Sequence, residues 1–259
     1  MKANYHTHTI RCGHAEGTDE AYIQAALDQG FDELGFSDHM PWPYKSGFFN
    51  QGVRMHISQM EDYIKSIRAL EEKYRDRISI KLGFECEYFP EYMGFLQDVY
   101  EENHLDYLIL GNHYENTDEG GFYFGGAKTG AELARYVDCA VKGMDTGLFI
   151  YLAHPDLFMR KYPTFDENCC AAAHDLCQAC KAKNLPMEYN VHDRFISYLT
   201  HRKSYPHPKF FEIALEEGVQ VLIGLDAHEP KEISDPTQWD RAMKELEVFG
   251  DKHIDHLTF

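Results

Sequence analysis

The sequence predicts an α/β fold of seven parallel strands curled into a closed or nearly closed barrel, and two observations carry that expectation. Short β-prone runs alternate with segments of helical periodicity along the whole 259 residues, the pattern made by a parallel sheet with crossover helices. In addition, nearly every strand-like run ends at or just before a histidine or a carboxylate: His6, His8, His14, His39, Glu85, His113, His154, Asp226 and His228. A barrel carries the C-terminal ends of its strands to one rim, so residues far apart in sequence meet there. Imidazoles mixed with carboxylates suit zinc, iron or manganese, and the chain reads as a metalloenzyme.

Each element has its own reason. Residues 3–5 form the first strand and lead into a loop with His14. Residues 18–29 place Tyr22, Ala25 and Ala26 on one face and stop at Gly30, as a helix with a glycine C-cap does. Strand two, 33–36, runs into Ser37-Asp38-His39. From 41 to 52 the chain is irregular and rich in Pro, Gly and aromatics, which suggests a lid at the rim. Met60, Ile64, Ile67 and Leu70 mark 58–74 as an amphipathic helix, and strand three, 78–84, ends at Glu85. Helix 91–102 precedes strand 106–111 and then His113, while helix 130–144 precedes strand 148–153 and then His154. Helix 165–183 leads to strand 187–190, after which His192, Asp193 and Arg194 appear. Helix 208–217 and strand 219–225 complete the last repeat, closed by Asp226-Ala-His228.

Composition narrows the function classes. A hydrophobic content of 44% supports one sizeable core, and a single domain over residues 1–259 is expected. The net charge of −18 repels phosphate backbones and anionic membrane surfaces, so neither nucleic acid nor membrane is an expected partner. A small phosphorylated substrate remains compatible, because bound divalent ions reverse the sign of the local field. The apolar runs are too short for a spanning helix or a secretory signal, and a cytoplasmic location is expected. Four of the seven cysteines, Cys169, Cys170, Cys177 and Cys180, share one helical segment, a spacing that fits reduced core thiols better than a zinc ribbon. The sequence leaves the oligomeric state open.

Taken singly, the motifs are weak. His6-x-His8 sets two imidazoles on one side of a strand end, yet such a pair is as readily a surface or core feature. Glu87 lies two residues beyond Glu85 and faces the same way; Glu85, directly after the strand, is the better ligand, and Glu87 is read as supporting or solvated. His56, His104, His174, His201, His207, His253 and His256 lack strand-end placement and read as surface or capping residues. The joint placement of the others lifts them above chance.

The ordered set His6-x-His8, His14, Asp38-His39, Gly-x-Glu85, His113, His154-Pro-Asp and Asp226-x-His228 resembles the polymerase and histidinol phosphatase (PHP) superfamily over essentially the whole chain. The segments 54–63, 81–85 and 88–90 are similar to its monofunctional L-histidinol-phosphate phosphatase branch. The resemblance implies a distorted (β/α)7 barrel with three divalent transition-metal ions (Zn, Mn or Fe) at the C-terminal ends of the strands. His6, His8, Glu85 and Asp226 would hold the first, a bridging Glu85 with His113 and His154 the second, and His14, His39 and His228 the third. The implied activity is hydrolysis of L-histidinol phosphate to L-histidinol and phosphate in histidine biosynthesis, the alternative being another small phosphate ester such as a nucleotide or sugar phosphate. Arg160 matches a basic residue of the family and would clamp phosphate, with Arg194 and Arg202 competing for a second clamp. Asp226 or His228 would pass a proton to the leaving alkoxide. Glu115, Tyr114, Asp156 and the aromatics from Trp42 to Phe49 would favour a cationic or imidazole tail. An amidohydrolase-type reading fits less well, since position 113 is His and the last motif is Asp-x-His. A passive metal buffer would leave an open ring of histidines that serves no folding purpose.

Overall fold

A computed structural model describes residues 1–192 and 205–259. Seven strands, β1 (Ala3–Asn4), β2 (Glu33–His39), β3 (Ser79–Cys86), β4 (Tyr107–Gly111), β5 (Leu152–Ala153), β6 (Met187–Asn190) and β7 (Val221–Gly224), form one parallel sheet in sequential order. Just beyond the strand ends, Thr7 bridges Ala227: His8 N–H donates to the Ala227 carbonyl at 2.9 Å and Ala227 N–H to that of His6 at 3.1 Å. The two ends of the sheet are thus drawn together at the rim, and the expected (β/α)7 barrel is the architecture observed.

Helices α1 (Asp19–Asp28), α2 (Met60–Tyr74), α3 (Met93–Glu102), α4 (Gly130–Asp145), α5 (Glu167–Lys183) and α6 (Pro208–Glu217) pack outside the sheet. Their starts are chemically marked. Thr18 caps the Ala21 N–H, Thr129 forms a reciprocal box with Glu132, and Asp166 caps Cys169. Ile67, Leu96, Leu133 and Leu176 are buried on the inner helix faces, each such burial contributing about 1.5–3 kcal/mol of transfer free energy. A second, smaller core fills the barrel itself, where Ala3, Tyr5, Tyr107, Ile109, Tyr151, Ala153 and Leu222 meet. Period-two alternation sends those side chains inward, and they plug the barrel beneath the rim.

Several boundaries differ from expectation. Strand β2 continues to His39 and β3 to Cys86, so both His39 and Glu85 lie inside the ladder, paired with each other in register. Strand β5 shrinks to two residues because a turn at Gly147, with φ of 71°, delivers the chain to the sheet late. Two C-terminal helices went unanticipated, α7 (Pro230–Ser234) and α8 (Pro236–Leu246). Their prolines sit in the first turn, where a missing N–H is harmless. Trp239 of α8 packs edge-on against Phe31 with centroids 4.9 Å apart. All seven cysteines are free thiols, as expected. Among the described residues no helix is long and apolar enough to cross a membrane.

Candidate metal centre

Glu85 is the hub of the rim. It is 1% exposed, and both of its oxygens face imidazoles. Glu85 Oε1 lies 3.2 Å from His113 Nε2 and 2.7 Å from His154 Nε2, while Oε2 lies 3.0 Å from His39 Nδ1, 3.5 Å from His6 Nε2 and 3.6 Å from His8 Nε2. Asp226 Oδ1 completes a first cluster, 3.4 Å from His6 Nε2 and 3.1 Å from His8 Nε2. Ligands about 2.0–2.1 Å from a zinc ion at tetrahedral angles stand about 3.3 Å from one another, so these spacings suit an ion at their centre. His14 Nε2 and His228 Nε2 approach to 2.9 Å, and His39 joins His8 and His228 in another compact donor group. The structure therefore gathers all nine sequence-expected candidates around one rim.

Local backbone and neighbouring side chains make this convergence possible. His154 and Asp226 adopt positive φ of 27° and 50°, uncommon for residues with a side chain and a form of strain that accumulates at functional sites. At positions 111 and 224 any larger residue would crowd the site's carboxylates. A Cβ on Gly111 would come within 2.3 Å of Glu85 Oε1, and one on Gly224 within 1.7 Å of Glu188 Oε1.

That second carboxylate escaped sequence reasoning. Glu188, fully buried in β6, accepts from His6 Nδ1 at 2.7 Å, from the His154 backbone N–H at 2.9 Å and from Asn190 Nδ2 at 2.9 Å. The His6 hydrogen is thereby held on Nδ1 and its Nε2 is left to face Glu85 and Asp226. His228 is set the same way, its Nδ1 lying 2.8 Å from the Asp226 carbonyl. His113 Nδ1 lies 3.1 Å from Glu87 Oε1. Orientation of one ring nitrogen by a carboxylate or carbonyl is how metal-binding histidines are prepared. The only signal for Glu188 in the sequence was its inward parity in a short strand.

The electrostatics are unbalanced without cations. Burial takes His39 down to about 3 and, with His8 adding repulsion, His14 below its ordinary range and His228 well below it. For His6 burial is outweighed by Asp226, Glu188 and Glu85, which hold it well above the usual value. Burial is likewise overcome at His8, raised to about 9 by Asp226 and Asp38, and at His113, raised to about 10 by Glu85 and Glu87. Burial would push both acids up, but His113, His6 and His39 keep Glu85 well below the carboxylate range, and His6 and His8 do so for Asp226. Protons thus stand in for positive charge, while His6 Nε2 and His8 Nε2 remain buried with no hydrogen-bond partner. Neutral imidazoles with ionised carboxylates fit divalent metal ions.

A cleft of about 370 Å³ opens over this floor, lined by His14, Glu85, His154, Asp226, Tyr114 and Arg160 among others. Arg160 donates from Nη1 to the Tyr123 hydroxyl at 2.7 Å, which steadies its guanidinium at the rim. Two expectations need correction. Glu115 does not line the cleft, because Arg135 of α4 captures it at 2.5 Å. Asp156 is fully buried and accepts from the His207 backbone N–H at 2.6 Å. Glu87 is 1% exposed and meets His113, which fits the supporting reading and not the solvated one. The segment 41–52 reaches the rim at Gly52, but its Trp42 turns inward to Glu87. Arg194 and Arg202 lie outside the described residues.

Known proteins share the family and the fold. The family model for the PHP domain matches residues 4–192. A probable histidinol-phosphatase of Deinococcus radiodurans is 30% identical over 96% of this chain and 94% of its own length. One from Schizosaccharomyces pombe is 26% identical over 90% of this chain and 82% of its own. The crystal structure of histidinol phosphate phosphatase from Lactococcus lactis, complexed with Zn, L-histidinol and phosphate, superposes with a TM-score of 0.72 at 18% identity, covering 96% of this chain and 94% of that one. Because the family match takes in the candidate ligands from His6 to His154, and the Deinococcus relative aligns with nearly all of the remainder, this chain belongs to the PHP domain family, on its histidinol-phosphatase branch.

Proposed function

We propose that this protein is a metal-dependent phosphomonoesterase that hydrolyses L-histidinol phosphate to L-histidinol and phosphate. The observation that carries the reading is the position of Glu85, at the floor of a small-ligand-sized cleft with five imidazoles around its two oxygens and a guanidinium at the rim. The names of the full-length relatives support the substrate. Nine donors, with Glu85 shared, are too many for one ion, and we assign three divalent ions from Zn, Mn or Fe. His6, His8, Glu85 and Asp226 would hold the first, Glu85, His113 and His154 the second, and His14, His39 and His228 the third.

Such ions supply Lewis acidity, lowering the pKa of a water to about 7 and neutralising phosphoryl oxygens. The remaining tasks fall to the chain. Arg160 holds the phosphate dianion with a planar fork, in a cleft that orients the ester for in-line displacement. His228 is ill suited to donate a proton, because its Nδ1 hydrogen is committed to the Asp226 carbonyl and its Nε2 faces His14. We therefore assign the proton shuttle to Asp226, whose Oδ2 is steadied by Asn190 Nδ2 at 3.0 Å: it takes a proton from solvent and passes it to the leaving alkoxide, which restores the carboxylate. We place the enzyme in the cytoplasm, where its free thiols stay reduced.

Steady-state kinetics on the metal-loaded protein test the assignment. Histidinol phosphate is expected to give the highest kcat/KM among glycerol phosphate, a sugar phosphate and a nucleotide. Equal or better turnover of any of the others would reassign the substrate.

A further inference from the structure

A second buried charge cluster lies directly behind the rim. Arg54 is 2% exposed, and every side of its guanidinium is occupied. Nη2 donates to Glu87 Oε1 at 2.9 Å, Nη1 to Glu87 Oε2 at 3.3 Å and to the Met40 carbonyl at 2.7 Å, and Nε to Asp118 Oδ2 at 2.8 Å. Asp118 also accepts from the Tyr44 hydroxyl and from Asn50 Nδ2. Trp42 Nε1 donates to Glu87 Oε2 at 2.9 Å. Burying two acids and an arginine is costly, and such a pair adds little net stability over apolar packing. The arrangement calls for a purpose, and Glu87 Oε1 indicates it: the same oxygen that takes Arg54 also takes His113 Nδ1 at 3.1 Å.

We propose that Glu87 is a positioning residue for the metal position served by His113, and that Arg54 and Trp42 hold its carboxylate so that the His113 hydrogen stays on Nδ1 and Nε2 faces Glu85. The inference rests on the metal-centre reading above and deepens it. Both carboxylate oxygens are committed, Oε1 to Arg54 and His113 and Oε2 to Arg54 and Trp42, so all four contacts come from N–H groups. An amide cannot satisfy that set. In Glu87→Gln the single oxygen serves one pair and the NH2 confronts the other, donor against donor. Segment 40–54 thereby becomes part of the support for one ion.

Zinc-loaded wild type and Glu87→Gln, titrated with a competing chelator, provide the test. One metal equivalent of the variant should be released about 10–100-fold more readily, with the others unchanged. Retention of every equivalent as in the wild type, or equal loosening of all of them, overturns the proposal. A second readout requires no variant: in the ¹⁵N-histidine spectrum of the zinc-loaded wild type, His113 should carry its hydrogen on Nδ1, and a hydrogen on Nε2 overturns it. Wild type that holds no divalent ion would overturn the metal centre as a whole, whereas uniform loosening in the variant overturns this positioning role alone.

Discussion

Substituting Glu85 by Gln probes the centre at its most constrained point. The change is nearly isosteric, but an amide offers one acceptor oxygen and an NH2 that cannot coordinate. Whichever way the amide turns, the NH2 confronts either His113 and His154 or His6, His8 and His39. One of two metal positions therefore loses its shared anionic donor. Removing a mere orienting partner of a ligand already costs 10–100-fold, so the loss of a direct donor should cost at least about a hundredfold in kcat/KM, or about 3 kcal/mol of transition-state stabilisation. Steady-state kinetics with elemental analysis measure both consequences, and a circular dichroism spectrum checks the fold. Glu87→Gln is the comparison and should lose less, since it disturbs one position only indirectly. A Glu85→Gln protein with full metal content and kcat/KM within about tenfold of wild type would refute the shared-donor argument.

Other expectations follow from the same geometry. Arg160→Lys keeps the charge but not the fork, and should raise KM for the phosphate ester, with Arg160→Ala losing further; an unchanged KM in both would remove Arg160 from phosphate binding. Gly224→Ala drives a methyl into Glu188, so His6 loses its orienting partner and metal content should fall, as elemental analysis would read; undiminished metal would show that Glu188 shifts without cost. In the metal-free protein, His8 and His113 stay protonated up to about 9 and about 10, while metal ligation needs neutral rings. Zinc added at pH 8 should therefore release protons into a weak buffer, and a lack of acidification would contradict those protonation states. Raised folded-state values also mean that these two groups stabilise the apo-protein fully below about 6.5 and lose that contribution as pH climbs through about 9 and 10, which apo-protein melting across this range would measure.

Much of the fold could be read from the chain because its signals are local. Met187–Asn190 and Pro208–Glu217 match expectation residue for residue, since a short inward-outward strand and a proline-started helix each declare themselves within a few positions. The nine candidate ligands were legible for a related reason: strand ends are local, and the barrel does the converging. Their supporting partners were not. Glu188 serves His6 from 182 residues away, and the counter-charge that keeps Glu87 buried comes from Arg54 on a different connection. Glu115 was misplaced because its captor, Arg135, belongs to the next helix. Pairings of this kind depend on tertiary packing, which no window of sequence contains.

The bridge between Thr7 and Ala227 has a bearing on how the protein is made. His6 and His8 precede Asp226 and His228 by more than 200 residues, and the seam at this bridge sets them side by side. The first donor cluster therefore stays incomplete until the last strand docks: the earlier chain can bring His6 and His8 to Glu85 but not to Asp226. Contacts of such long sequence separation form late in folding. The first position is thus completed only once the last strand has come round to the first, whereas Glu85, His113 and His154, which we assign to the second, all lie in the chain before that strand.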